Sequence, residues 1–174
     1  MEPKEWEMDE RLRIIFARRS VRKYTDQPVS GADITSLLQA GMAAPSAMNR
    51  RPWHLVVVTD KPTLGAIAAA PPYSRTLGDA AVVIVVCGDP SVSDWWLQDC
   101  TLATENILIA AAGLGLGAVL LGCHGKTERE QPIRQALGIP EEIGLASVLC
   151  IGHPAEEKEP RTQHDPARVH RNKW

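Results

Sequence analysis

A chain of 174 residues fits one domain with a sizeable core, and 44% hydrophobic with 23% charged residues is ordinary for a globular protein in water. A net charge of −2 excludes the strongly basic balance of a dedicated nucleic-acid binder, so any basic cluster needs a local explanation. Met1 to Arg13 is rich in charged residues and lacks the apolar core of a signal peptide, which points to the cytoplasm.

In chain order, Asp9 to Arg18 carries apolar residues at Leu12, Ile14, Ile15 and Phe16, the pattern of an amphipathic helix. Val21 to Pro28 reads as extended. Ser30 is a good N-cap with Asp33 three residues on, and the helix it starts should end near Ala43 or Ala44, ahead of Pro45. Trp53 to Thr59 predicts a strand, and Asp60-Lys61-Pro62 turns into a short helix that Pro71-Pro72 breaks. Ala80 to Cys87 is apolar on both faces, as a central strand in a covered sheet would be. The longest helix is expected from about Ser93 to Ala112. A glycine-rich turn follows, then a short strand from Ala118 to Leu121. Thr127 to Leu137 predicts a helix stopped by Gly138, and Leu145 to Gly152 a final strand. His153 to Trp174, with three prolines and no core pattern, reads as a tail of 22 residues. Alternating helices and strands around a mixed sheet give an α+β or α/β sandwich.

Several signals mislead. Ile107 to Cys123 holds no charge for 17 residues, but a membrane span needs about 20. Gly113, Gly115 and Ala118 match Gly-x-Gly-x-x-Ala, yet here the motif follows a helix and enters a strand, the reverse of a dinucleotide fold. Cys123-His124 lacks metal-ligand spacing, and no Gly-x-Ser-x-Gly elbow exists. Cys87, Cys100, Cys123 and Cys150 are widely spaced in apolar or helical stretches, as buried reduced thiols of a cytoplasmic protein would be. Glu141-Glu142 follows Pro140 as a first-turn charge pair rather than a catalytic dyad.

Two segments carry chemistry. Arg18-Arg19-Ser20-Val21-Arg22-Lys23 places four bases in six positions. Arginine forks and a serine hydroxyl match the acceptor oxygens of a phosphate. In an extended segment Ser20 and Arg22 project to one side, Arg18 can converge with them, and Lys23 points away. A solvated basic turn is the bland alternative. The second segment, Ala44-Pro45-Ser46-Ala47-Met48-Asn49-Arg50-Arg51-Pro52-Trp53, supplies amide and backbone donors suited to the edge of a heterocycle.

These residues, the late Gly-Leu-Gly-Leu-Gly-Ala-Val and the closing Arg-Val-His-Arg-Asn-Lys-Trp together resemble the nitroreductase family of FMN-dependent oxidoreductases. The likeness runs from about Ile14 to Trp174, in the family's order. It implies an α+β three-layer sandwich with a mixed, mostly antiparallel sheet flanked by helices. It also implies an intertwined homodimer, with one domain over 1–174 and residues 153–174 as an extended C-terminal arm.

The resemblance further implies two FMN sites at the dimer interface. Arg18, Arg19, Ser20 and Arg22 would hold the phosphate, ribityl chain and pyrimidine edge. Pro45, Ser46, Ala47 and Asn49 would approach from the partner subunit. Leu120, Leu121 and Gly122 would lie by the ring, and Arg168 and Arg171 would return from the tail to the phosphate. NAD(P)H would supply hydride for an oxidised small-molecule acceptor of nitroaromatic, quinone or enone type, with no protein residue as nucleophile. A flavin-binding sensor, carrier or scaffold without turnover is the alternative. Neither nucleic acid nor membrane is an expected partner. The family often has Gln where Arg51 stands, and the segments Thr59–Ala80 and Gly88–Gln98 are too short for the helical excursion of larger members. Acceptor identity is therefore not carried over.

Overall fold

The computed structural model of the chain describes residues 8–68 and 74–174; Pro71-Pro72, expected to break a helix, lies outside them, as does most of the charged N-terminus. Four strands form its sheet: β1 (Trp53–Val58), β2 (Val82–Gly88), β3 (Gly117–Gly122) and β4 (Gly144–Gly152). Their order is β1-β2-β4-β3, and every pair is antiparallel. This excludes the α/β alternative. Among the described residues the parallel component is a single bridge between Ser20 and Ala118.

Helices cover both faces, so every residue of β2 is buried. Val82, Ile84 and Val86 point toward α2 (Gly31–Met42) and α5 (Trp96–Gly113), where they meet Leu37, Ala103 and Ile107. Val83, Val85 and Cys87 point the other way, toward α3 (Lys61–Ala68), α4 (Ser74–Gly78) and α6 (Thr127–Leu137), where they meet Ile67, Leu77 and Ile133. Period-2 alternation thus divides one strand between two cores, and the result is three layers.

Local chemistry sets the helix ends. The Ser30 hydroxyl caps α2 by accepting from Asp33 N–H at 3.0 Å. Gly138, at φ 63, stops α6 in the left-handed conformation that glycine adopts freely. α5 starts three residues later than Ser93, because the Ser93 side chain is engaged with Asp99 and with Trp95 N–H. α4 has no counterpart in the sequence reading.

The N-terminal segment is a 3-10 turn (Glu10–Leu12) followed by α1 (Arg13–Ala17). Beyond it the chain runs extended past the start of β3, with Val21 N–H donating to Ala118 O at 2.9 Å. The C-terminal segment lies alongside. Ala155 N–H bonds Lys23 O at 2.9 Å, and Arg161 N–H bonds Phe16 O at 3.2 Å. From Arg161 to Trp174 every residue is exposed.

Candidate functional site

β3 is an edge strand, so one row of its backbone groups has no strand partner. The carbonyl of Ala118 faces that edge, since it accepts from Val21 N–H. Alternation puts the backbone of Leu120 and Gly122 on the same side, and that of Leu121 toward β4. Leu120 is 41% exposed and Leu121 is buried. Gly122 O already accepts from Arg129 Nη1 at 2.9 Å. Of the three residues expected beside the ring, Leu120 and Gly122 present backbone groups to the open edge, and Leu121 belongs to the core.

The basic cluster sits at the start of this edge and divides by alternation. Arg18 pairs through Nε with Glu105 Oε1 at 3.2 Å, and Arg22 is exposed. Arg19 turns under the C-terminal segment: its Nη1 donates to Glu159 O, and its Nε is buried without a hydrogen-bond partner. It lines a cavity of about 350 Å³ with Val21, Gly117 and Lys158. Arg19 therefore does not converge with Arg18, Ser20 and Arg22. Two groups unforeseen in the sequence complete this corner. Lys158 Nζ donates to Ser20 O at 2.8 Å, and Glu156 Oε1 accepts from Arg22 N–H at 2.7 Å. That backbone donor holds the Glu156 carboxyl below its usual range, so it is ionised. A tail without pattern carried no signal for either residue.

The loop before β1 is strained. Met48, Asn49 and Arg51 have φ of 50, 55 and 52, a left-handed conformation costing roughly 1–3 kcal/mol each in a non-glycine residue. Ser46 Oγ accepts from Arg51 N–H at 2.9 Å, and Ala47 N–H donates to Asp99 Oδ1 at 2.9 Å. Ala47 thus spends its N–H inside the protein. The side chains of Asn49 and Pro45 are exposed, and Ser46 is half-buried. Asp99 is 3% exposed and was not foreseen. The signal was present: it stands four residues before Ala103 on the buried stripe of α5.

Arg168 and Arg171 are exposed on the arm. Arg168 pairs with Asp165 at 3.2 Å, and His170 stacks on Trp174. Among the described residues, neither arginine bonds to the Arg18–Arg22 cluster.

The misleading signals have structural accounts. Gly115 turns at φ 72, and a Cβ on Gly117 would meet Val21 at 2.6 Å, so these glycines serve a turn and a close approach. All four cysteines are free and buried. Among the described residues no group of side chains could hold a metal ion, and no helix is long and apolar enough to cross a membrane.

Fold and site together describe an α+β sandwich whose open strand edge starts at a basic cluster, with a strained, donor-rich loop leading into the opposite edge strand. The chain belongs to the nitroreductase family, which it matches over residues 15–71 and 63–153. A protein of Archaeoglobus fulgidus, provisionally named an NADH dehydrogenase/NAD(P)H nitroreductase, is 45% identical over 96% of this chain and 100% of its own. A crystal structure of a similarly named protein from Bacteroides thetaiotaomicron superposes with a TM-score of 0.92 at 39% identity, covering 97% of this chain and 100% of that one. A provisionally named nitroreductase from Desulfovibrio desulfuricans, solved in complex with FMN, gives a TM-score of 0.85 at 28% identity, over 97% and 99%.

Proposed function

We propose that the protein is an FMN-dependent oxidoreductase that takes hydride from NAD(P)H and reduces an oxidised small molecule of nitroaromatic, quinone or enone type. The observation that carries this reading is the open edge of β3. Its six residues run about 17 Å from the basic cluster to Gly122, so one edge joins an anion site to exposed backbone groups. Arg18 and Arg22 would bind the phosphate, and the Leu120 and Gly122 N–H groups would meet the polar edge of the ring. When bound, FMN supplies a hydride acceptor and donor at its N5. The chain's own residues bind and orient it, and their N–H groups and positive charge favour the anionic reduced form. No side chain is required as a nucleophile.

The functional unit in this reading is a homodimer. The basic cluster lies at the start of β3, on one edge of the sheet. The loop Pro45–Asn49 leads into the start of β1, on the other edge and at the opposite end. In this reading one flavin meets both only if the loop comes from a second chain, and Arg168 and Arg171 reach the phosphate only if the arm embraces that chain. Residues 1–174 form a single domain with 153–174 as the arm. Its buried thiols suit the reducing cytoplasm.

The test begins with the purified protein. It should be yellow, release FMN on heating, and lose flavin absorbance when NAD(P)H is added without oxygen. Turnover with a nitroaromatic or quinone panel should follow. A colourless protein that takes up no added FMN refutes the reading. Bound FMN that NAD(P)H does not bleach leaves a carrier or sensor instead.

A further inference from the structure

Asp99 is a buried carboxylate that the proposed chemistry does not use. Among the described residues no cation pairs with it, and it accepts from Ala47 N–H and Ser93 Oγ–H, each at 2.9 Å. Its first partner lies in the loop with three left-handed non-glycine residues; its second lies in the turn that leads into α5. A buried carboxyl that accepts from two donors is costly to leave unsatisfied, so each partner is fixed strongly. The loop is anchored at its ends by the buried Ala44 and Pro52, and between them, among the described residues, Asp99 is the buried side chain that bonds to its backbone, so without that tether the three strained residues would relax toward ordinary dihedrals. Its internal closures, Asn49 N–H to Ser46 O at 2.9 Å, Arg50 N–H to Ala47 O at 3.1 Å and Arg51 N–H to Ser46 Oγ at 2.9 Å, tie the loop to itself, and the exposed Arg50 Nη1 reaches Val92 O at 3.3 Å.

We infer that Asp99 is the positioning residue for the flavin-facing loop. By consuming the Ala47 N–H it turns the Ser46 hydroxyl and the Asn49 amide outward, in the arrangement that meets the cofactor. This rests on the flavin reading above. Asp99 touches no cofactor and acts through Ala47.

The experiment compares Asp99→Ala and Asp99→Asn with the wild type, as full-length dimers of verified thermal stability. Asparagine keeps an acceptor for Ala47 N–H and a donor for the Ser93 oxygen. FMN affinity is read by quenching of flavin fluorescence on titration into apoprotein. Loop order is read separately by trypsin cleavage after Arg50. Asp99→Ala should weaken FMN binding by about tenfold or more and speed cleavage at Arg50 by a similar factor. Asp99→Asn should stay within about threefold of wild type in both. A folded Asp99→Ala with wild-type affinity and wild-type cleavage overturns the inference. Asparagine failing as badly as alanine also overturns it, since the tether would then not be the cause. A wild type that binds no FMN sinks the flavin reading instead, and the cleavage rates still decide whether Asp99 holds the loop.

Discussion

Arg22 is exposed and adds little to the fold, since its contact with the arm runs through its backbone N–H rather than its guanidinium. Arg22→Ala should therefore shift the melting temperature by no more than about 2 °C, as surface substitutions do. In the proposed site the same change would remove a charge-assisted bond to phosphate, so FMN affinity should fall by about tenfold or more. A calorimetric scan and a fluorescence titration check the two halves. The cysteines make the opposite case. Burial pushes the Cys87 thiol up to about 11 and those of Cys100, Cys123 and Cys150 up to about 12. Raised folded values mean that their contribution to stability is intact below the ordinary thiol pKa and is lost as pH rises through 11 and 12. Iodoacetamide at about pH 8 should leave all four unmodified in the native protein and label them on denaturation. The basic cluster was legible in sequence because donor type and alternation are local properties. The loop strain was not, because φ values near 50 in Met48 and Arg51 go with a tether from Ala47 to a carboxyl 52 positions away.

At the scale of elements, close approach sets what the layers tolerate. The Trp96 ring, at the start of α5, lies over the adjacent strands β2 and β4 at Gly88 and Gly144. A Cβ on Gly88 would come within 2.6 Å of Trp96 Cε3 and 2.7 Å of Cys100 Sγ; one on Gly144 would overlap the ring outright. The ring also meets His124 edge-on at 5.2 Å, so it cannot move freely. Gly144→Ala should destabilise by about 1–3 kcal/mol, the usual cost of overpacking. Combined with Trp96→Leu, the same glycine change should cost much less, and urea unfolding of the four-member cycle measures the coupling. Glycine identity showed in the sequence, but its reason did not, since Trp96 and Gly144 stand 48 positions apart. The helix Thr127–Leu137 and the buried run of β2 were readable because periodicity and end signals are written within each element. Strand order was not, because it arises from contacts between segments far apart in the chain, and the mostly antiparallel pairing came only with the family resemblance. α4, five residues long, is too short to show a period.

At the scale of the whole molecule the described residues leave several large apolar side chains exposed. Leu12 just before α1, Ile14 and Ile15 within it and Leu102 on α5 are all open, and in the arm Val169 is 52% and Trp174 100% exposed. These are the apolar side chains that the proposed dimer would have to cover. The arm has two distinct parts. Its root is fastened to the domain by Ala155, Glu156, Lys158 and Arg161, whereas, among the described residues, 162–174 bond with one another. Cutting the chain after Arg161 should therefore spare the domain, and the far-UV circular dichroism should change only by the loss of the short turn Pro166–Arg168. The dimer proposed above should weaken, because the deleted part carries Trp174, Arg168 and Arg171. Light scattering at about 1 μM protein should show dissociation where the full chain stays paired. FMN affinity should drop by about tenfold or more, through loss of both the arginines and the partner's loop. A truncated protein that remains a dimer and binds FMN as tightly as the full chain would show that the arm embraces nothing, and that the phosphate is held by Arg18 and Arg22 without it.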